Sequence, residues 1–380
     1  MKMPLTPMKK IDTLLKQTEF SDEDIVRLLQ ITDPQEATLL QKAAFNRTTE
    51  HLGNQVYYRG LIEFSNICTL DCRYCGIRKS NHLVPRYELT KEQVVEAACW
   101  AAENHYGSIC LQSGERRDSK FIDFVTDVLE TIHQKTVSDA LPSGLGITLS
   151  LGEQTLEVYK QWAQAAGNPI GLRYLLRFET SNLKLFNHLH YSKSHHDKGL
   201  ERRYQALKDL REAGYQVGSG VMIGIPGQTL EDLCQDIRTF QKLDLDMIGM
   251  GPYITSPGAD MLGEGMMEKK ALMRLALNMI AVTRLVIHDI NIAAATALQA
   301  LEDDGREKGI LHGCNVIMPN ITPRIARKNY QLYANKPFIE QEPSDSNKFL
   351  QHCIEKTGRT VGLNVLGSSI HWKKRAGQMQ

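Results

Sequence analysis

Apolar residues in this chain fall into short runs that alternate with longer stretches in which they recur every three or four positions. The short runs predict strands at Arg59–Ser65, Ser108–Gln112, Gly146–Leu151, Arg173–Phe178, Gly218–Ile223, Met247–Pro252, Ile292–Ala297 and Val316–Pro319. Between them, stretches such as "TKEQVVEAACWAAENH", "KFIDFVTDVLETIHQK", "EQTLEVYKQWAQAAG", "KGLERRYQALKDLREAG" and "TLEDLCQDIRTFQKL" carry helical spacing, and helices are expected to stop at Gly167 and Gly214. Eight strands alternating with helices imply a parallel sheet. At 380 residues the economical α/β closure is a complete (β/α)8 TIM-type barrel, with an open doubly wound sheet as the alternative.

Ahead of the first strand, "SDEDIVRLLQI" opens on Ser21 as an N-cap, and "DPQEATLLQKAAFNRTTEHL" predicts a second helix. The expected organisation is an N-terminal helical segment acting as a cap over 1–56, the barrel over 57–340 and a C-terminal extension over 341–380, weakly helical in "NKFLQHCIEKTG". Polar and glycine-rich phrases collect where each predicted strand ends: "CTLDCRYC", "QSGE", "SLGE", "RFET", "IGIPGQT", "GPYITSPG", "ATALQ" and "MPNITP". Those ends form the active-site face of such a barrel.

Charge narrows the partners. With 45 basic and 44 acidic side chains, no overall field draws the protein to nucleic acid or an acidic membrane, so a small molecule is the expected partner. The N-terminus reaches charged residues before any apolar core of a signal peptide forms, and "ALMRLALNMIAVTRLVIHDI" carries Arg274, Arg284 and His288, which predicts a buried helix rather than a membrane span. A cytoplasmic protein is expected, and there thiols stay reduced.

Three of the eight cysteines, Cys68, Cys72 and Cys75, fall within one short stretch, a coincidence expected in roughly a few per thousand sequences of this length. A zinc site completed by His82 is the rival explanation, but no C-x2-C partner pair lies nearby. Three soft thiolates suit an iron–sulfur cubane with one iron left open to bind substrate. Cys99, Cys110, Cys234 and Cys314 lie on helix or strand patterns as expected core thiols. The histidines of "NHLHYSKSHHDKG" lack ordered spacing and predict a solvated loop.

"CTLDCRYC" resembles the C-x3-C-x2-C motif of radical S-adenosylmethionine (SAM) enzymes, with Tyr74 as the aromatic before the third cysteine. "GLIEFSNICTLDCRYCGIRKSN", "RYLLRFETSN", "MIGIPGQTLEDL", "IGMGPYITSPGADML" and "GCNVIMPNITP" extend the likeness to the HydE family of [FeFe]-hydrogenase maturases, over about Tyr57 to Lys336. Methylornithine synthase and biotin synthase are similar in motif and barrel but share fewer of these phrases.

The resemblance implies an enzyme in which Cys68, Cys72 and Cys75 hold a [4Fe-4S] cluster that reductively cleaves SAM to a 5′-deoxyadenosyl radical. The implied substrate is a cysteine-bound iron carbonyl/cyanide complex destined for the hydrogenase diiron cofactor. Implied partners are a reduced electron donor such as ferredoxin or flavodoxin and the other hydrogenase maturases, in an anaerobic setting. Tyr74 would meet adenine through its backbone, Gln112 and Ser113 would lie at the SAM amino group, and Glu179 at the ribose or ammonium. Arg203 would hold the SAM carboxylate, with Arg202 as its rival. Glu153 joins as a further acidic strand end, and Met222 and Ile225 as adenine neighbours.

Arg177 and Glu179 stand two apart on one strand, so they share a face and need each other or a charged ligand. The substrate end would draw on Tyr253, Thr296, Pro319, Asn320, Thr322, Tyr330 and Tyr333, whose donors suit cyanide nitrogens and a carboxylate. Phe178 stands where the family is expected to carry histidine, which bears on the substrate; the tail offers only Cys353, which does not support a second cluster. Alternatives are an organic substrate, as in methylornithine synthase or biotin synthase, or a scaffold that holds an iron complex without turnover.

Overall fold

The run "QVYYRGLIEFS" is almost wholly buried beyond its first residue and forms the longest strand, β1 (Gln55–Ser65), of a computed structural model that describes residues 10–190, 199–337 and 343–377. Nine more strands follow: β2 (Ser108–Ser113), β3 (Gly146–Ser150), β4 (Leu172–Leu175), β5 (Gln216–Ser219), β6 (Met222–Ile223), β7 (Met247–Pro252), β8 (Asn291–Ala294), β9 (Val316–Ile317) and β10 (Thr360–Gly362). Every pairing is parallel, and β9 returns to β1 through Tyr57↔Val316 and Tyr58↔Ile317, which closes the barrel. β5 and β6 share one barrel position, each pairing with β7. Between them Gly220 lies so close to the neighbouring strand that a Cβ there would stand 1.8 Å from the Gly249 carbonyl oxygen, so only glycine fits.

Several strands are shorter than their apolar runs. β4 ends at Leu175, yet the chain stays extended beside β5, with Leu176 N donating to Gly218 O at 3.0 Å and Glu179 N to Gly220 O at 3.0 Å. The run at 292–297 gives way after Ala294 to a helix, Thr296–Leu301, so Thr296 opens a helix rather than ending a strand.

The N-terminal helices form as expected. Ser21 caps Asp22–Leu29 in a reciprocal box with Asp24, and Asp33 caps Pro34–Leu52. They pack on the outer helices Leu230–Lys242 and Lys269–Val286, where Asn278 Nδ2 donates to the carbonyls of Leu29 (3.0 Å) and Ile31 (2.9 Å). Lys269–Val286 is buried along most of its length, Arg284 included. Among the described residues no helix is long and apolar enough to cross a membrane.

The C-terminal extension closes the barrel floor. β10 runs beside the start of β1, and the following chain crosses the N-terminal ends of the strands. There Arg59 Nη2 (3.2 Å) and Asn291 Nδ2 (2.9 Å) donate to Gly367 O, Arg173 donates to Leu366 O, and Ser369 N donates to Gln216 Oε1 at 2.9 Å. The helix Ile370–Arg375 is pinned by His371, which bridges Asp289 (2.9 Å) and Asp244 (2.7 Å). With the floor filled, the barrel opens only at the strands' C-terminal ends among the described residues.

Candidate active site

The loop after β1 carries Cys68, Cys72 and Cys75, all free and half-buried. Two close approaches fix it: a Cβ on Gly114 would stand 2.7 Å from Cys68 Cβ, and one on Gly76 would stand 2.0 Å from Gln331 O. Burial, reinforced by the neighbouring thiols, raises Cys72 well above the ordinary thiol range; burial and Cys68 push Cys75 up to about 12. Among the described residues no three His, Cys, Asp or Glu side chains stand close enough together to hold a single metal ion. The donor set nevertheless fits an iron–sulfur cluster: three soft thiols share one clamped loop and feel one another electrostatically, and cluster binding would take up their protons' place.

Beside Cys75 a cavity of about 210 Å3 runs into the barrel. Tyr74, Gln112, Arg177, Glu179, Met222, Tyr253, Thr296 and Tyr333 line it, as do Glu63 and Lys336. The pairing expected of Arg177 and Glu179 is present: Nε to Oε1 is 2.9 Å and Nη2 to Oε2 is 2.8 Å, with Nη2 also donating to Val221 O. Glu179 sits at φ +66°, in the left-handed region that costs a side chain of this kind of order 1 kcal/mol, and its carbonyl accepts from Met222 N at 3.0 Å. Met222, Ile225 and Tyr253 form a small apolar cluster with Leu189 and Met261, against which Tyr74 packs.

A second group of charges lies behind the cysteines. Arg203 is buried, donates from Nε to Glu153 Oε1 at 2.6 Å and also reaches the Arg177 carbonyl. Its positive charge is close enough to Cys72 and Tyr74 to favour their ionised forms. Arg117 approaches both Glu153 (3.1 Å) and Glu115 (3.3 Å), while Arg202, half exposed, reaches Glu153 at 3.5 Å. Between the two arginine candidates, Arg203 is the one packed inward.

Phe178 is corrected. Its ring is fully buried between Tyr204 and Phe240, both at 5.7 Å between centroids, and faces away from the cavity. Strand alternation requires this once Arg177 and Glu179 point in. Its identity therefore bears on packing, not on what the cavity holds. Pro319, Asn320, Thr322 and Tyr330 do not line the cavity either; they brace Glu63 and its strand. Asn320 Nδ2 donates to Glu63 Oε2 at 2.9 Å, Thr322 Oγ1 accepts from Glu63 N at 2.8 Å, and Leu61 N donates to Pro319 O at 2.7 Å. Tyr330 meets Lys336 through its carbonyl and Gln112 through its hydroxyl. Ser113 turns its hydroxyl to Gly114 O at 2.8 Å, outside the cavity lining.

Two charged cavity residues are missing from the sequence-predicted set. Glu63 is buried and pairs with the buried Lys336. A lone acid in an apolar strand, two residues from the inward Leu61, is the signal that could have found Glu63; Lys336 has no such signal. Of the histidine-rich segment, 191–198 lies outside the described residues, but His188 and His190 belong to the helix Leu183–His190, where His188 meets Glu264 at 2.8 Å and His190 packs on Phe186. Cys110, Cys234 and Cys314 are buried core thiols, whereas Cys99 is only half-buried.

Comparison with known proteins agrees with this architecture. A family model described as Radical SAM superfamily matches residues 62–240. The chain is 37% identical over 349 residues to the [FeFe] hydrogenase maturase subunit HydE of Thermotoga maritima, covering 92% of this chain and 94% of that one. It is 24% identical over 311 residues to 3-methylornithine synthase of Methanosarcina acetivorans, covering 80% and 81%. The crystal structure of methylornithine synthase shares the fold with a TM-score of 0.76 at 22% identity, over 93% of this chain and 97% of that one. That of the maturase HydG from Carboxydothermus hydrogenoformans does so at 0.76 and 17%, over 96% and 81%. The chain is a radical SAM enzyme of a family that uses a [4Fe-4S] cluster and SAM, and it belongs to the HydE family of [FeFe]-hydrogenase maturases.

Proposed function

We propose that this chain converts a compact, anionic iron complex, a cysteine-bound iron carbonyl/cyanide species, during assembly of the [FeFe]-hydrogenase diiron cofactor. When bound, the cluster supplies the electron that cleaves SAM to methionine and a 5′-deoxyadenosyl radical. The observation that carries the proposal is the cavity itself, which begins at Cys75 and Tyr74 and ends among donors on the opposite wall. Arg177, Gln112, Thr296, Tyr333 and Lys336 offer N–H and O–H groups, which suit the acceptor ends of cyanide and carboxylate.

The chain's own residues divide the work of orientation. Arg203, buried and paired with Glu153, takes the SAM carboxylate in this reading, exchanging part of its contact with Glu153 for the ligand. Glu179, held by Arg177, takes the ribose or ammonium, and Gln112 lies opposite on the β2 end. Tyr74, Met222 and Ile225 give adenine an apolar bed. The filled floor keeps water from the far end, where a reactive radical needs a dry site.

The test is anaerobic reconstitution followed by assay of 5′-deoxyadenosine from SAM, and complementation of a hydrogenase-producing strain that lacks its own HydE. Wild type is expected to yield the nucleoside and restore hydrogenase, and Cys72→Ala to do neither. SAM cleavage without rescue by a cluster-replete protein would instead favour an organic substrate.

A further inference from the structure

Arg306 is fully buried and stands behind the cavity wall rather than in it. It is the second residue of the helix Gly305–Leu311, which turns back on Thr296–Leu301 so closely that a Cβ on Gly305 would stand 2.2 Å from Leu298 O. Only glycine fits that crossing, and it sets the next side chain, Arg306, against the start of the neighbouring helix. There Arg306 Nη2 donates to Thr296 Oγ1 at 3.2 Å, and the Thr296 hydroxyl is in turn hydrogen-bonded to that of Tyr333. Thr296 and Tyr333 both line the cavity.

Proton counting gives this chain of contacts a direction. A guanidinium donates and never accepts, so its bond occupies a lone pair of Thr296. Thr296 and Tyr333 carry one hydroxyl proton each, and the bond between them spends one. The remaining proton is what the pair can offer to a ligand. Charge acts in the same sense: burial lowers Arg306 to about 10, which leaves it cationic at neutral pH. Burial raises Tyr333, and the Arg306 charge is the foremost influence opposing that rise.

We propose that Arg306 is a positioning residue that acts through Thr296 and Tyr333, and that it sets the cavity's preference for anionic, acceptor-only ligand atoms over ammonium or N–H groups. Cyanide nitrogen and carboxylate oxygen are atoms of the favoured kind. Without Arg306, Thr296 regains a lone pair that can accept from a ligand donor, and the positive charge behind the wall is gone. The ligand touches the hydroxyls and not the guanidinium. The proposal rests on the proposed function in taking this wall as the substrate end, and it deepens that reading by naming the residue that selects for acceptors.

The test uses the reconstituted full-length chain with SAM, and azide as probe, an anion that accepts hydrogen bonds and donates none. Affinity and the infrared stretch of bound azide are measured. Arg306→Met is expected to weaken azide about tenfold and to move its band towards that seen in Tyr333→Phe. Arg306→Lys, which keeps the charge and a donor, should lose less; if Arg306→Met does not fold, this variant carries the comparison, with a smaller band shift expected. Methylammonium, a donor-only probe, should bind Arg306→Met no more weakly than wild type. In a Thr296→Val/Tyr333→Phe background Arg306→Met should change azide affinity less than about threefold, the part left to its charge alone.

An undiminished loss in that background, an unmoved band, or an equal loss of methylammonium overturns the proposal. So does an equal loss of SAM affinity in Arg306→Met, which would make Arg306 a support of the fold. Wild type that binds no azide, or binds it equally in Tyr333→Phe, overturns it too. Complementation is read separately. Azide binding that depends on Arg306 in a wild type that restores no hydrogenase sinks the iron substrate and keeps the role of Arg306, whereas rescue with azide binding indifferent to Arg306 does the reverse.

Discussion

Arg177 and Glu179 clasp each other inside the barrel through two parallel hydrogen bonds, 2.9 and 2.8 Å, while Phe178 between them points the other way. Glu179 is nearly buried and Arg177 is partly open to the cavity, so loss of the carboxylate charge leaves a guanidinium only partly solvated. Glu179→Gln is expected to lower stability by about 2 kcal/mol, below the cost of breaking a fully buried pair. SAM affinity should drop about tenfold or more, since a charge-assisted contact becomes a neutral one. Denaturant titration and equilibrium SAM binding measure the two effects; unchanged SAM binding removes Glu179 from the cofactor site.

Phe178→His would restore the residue expected of the family while placing an imidazole between Tyr204 and Phe240. Loss of apolar contact and burial of unpaired nitrogens should cost about 3 kcal/mol. Turnover per folded molecule should not change. A changed product or a new substrate preference at equal folded fraction would contradict the outward orientation.

Strand alternation is why much of this was legible. Two charges spaced two apart on a strand had to share a face, and the same rule turned Phe178 outward, a consequence available before any coordinates. The eight-fold alternation of strands and helices fixed the barrel because each amphipathic element needs the same kind of neighbour. What escaped depends on backbone groups and remote partners. Asn320 and Thr322 brace Glu63 across more than two hundred residues of chain, and donors alone do not reveal whether they face a ligand or a carboxylate. The floor plug is held by the carbonyls of Leu366 and Gly367, which carry no side-chain signature.

Asp236 provides a pH test. It is fully buried, accepts from Ser181 N and Oγ at 2.6 Å, and its other oxygen has no hydrogen-bond partner. Burial raises it from 3.8 to about 7, against the lowering effect of Ser181. The folded state therefore holds a proton that the unfolded state has lost between about pH 4 and 7, so this group's contribution falls as pH rises across that window and is flat above it. Asp236→Asn should remove that slope and be more stable than wild type at pH 8, by up to about 4 kcal/mol. Parallel stability–pH curves for the two proteins would show the group is ionised throughout.

The floor latch responds in the opposite sense. His371 lies between Asp289 and Asp244, and the hydrogen bond to Asp289 raises it above 6.5. Its stabilisation is fully present below about pH 6.5 and is lost as pH climbs through the raised value. Hydrogen exchange at 366–377, corrected for its intrinsic pH dependence, should quicken over that climb. His371→Gln should show the wild type's faster, high-pH rate at all pH values, with Lys374 and Arg375 supplying the protection that remains. Equal protection in the variant at pH 6 would assign the latch to those two residues alone.

Glu63 and Lys336 give the most direct separation of wall from site. Both are under a tenth exposed, they pair with each other, and Asn320 Nδ2 satisfies the second carboxylate oxygen at 2.9 Å. Removing either partner leaves a charge in the barrel: Glu63→Gln and Lys336→Met are each expected to cost about 3 kcal/mol. The double variant should recover most of that loss, because no unpaired charge remains and the coupling between neighbours is large. Activity should not recover with it. Lys336 lines the cavity, and under the proposed function it meets the anionic substrate, so the refolded double variant should still cleave SAM with dithionite yet fail to restore hydrogenase in the complementation assay. Rescue by the double variant would make the pair a brace of the wall and leave substrate recognition to Arg177 and the hydroxyl groups.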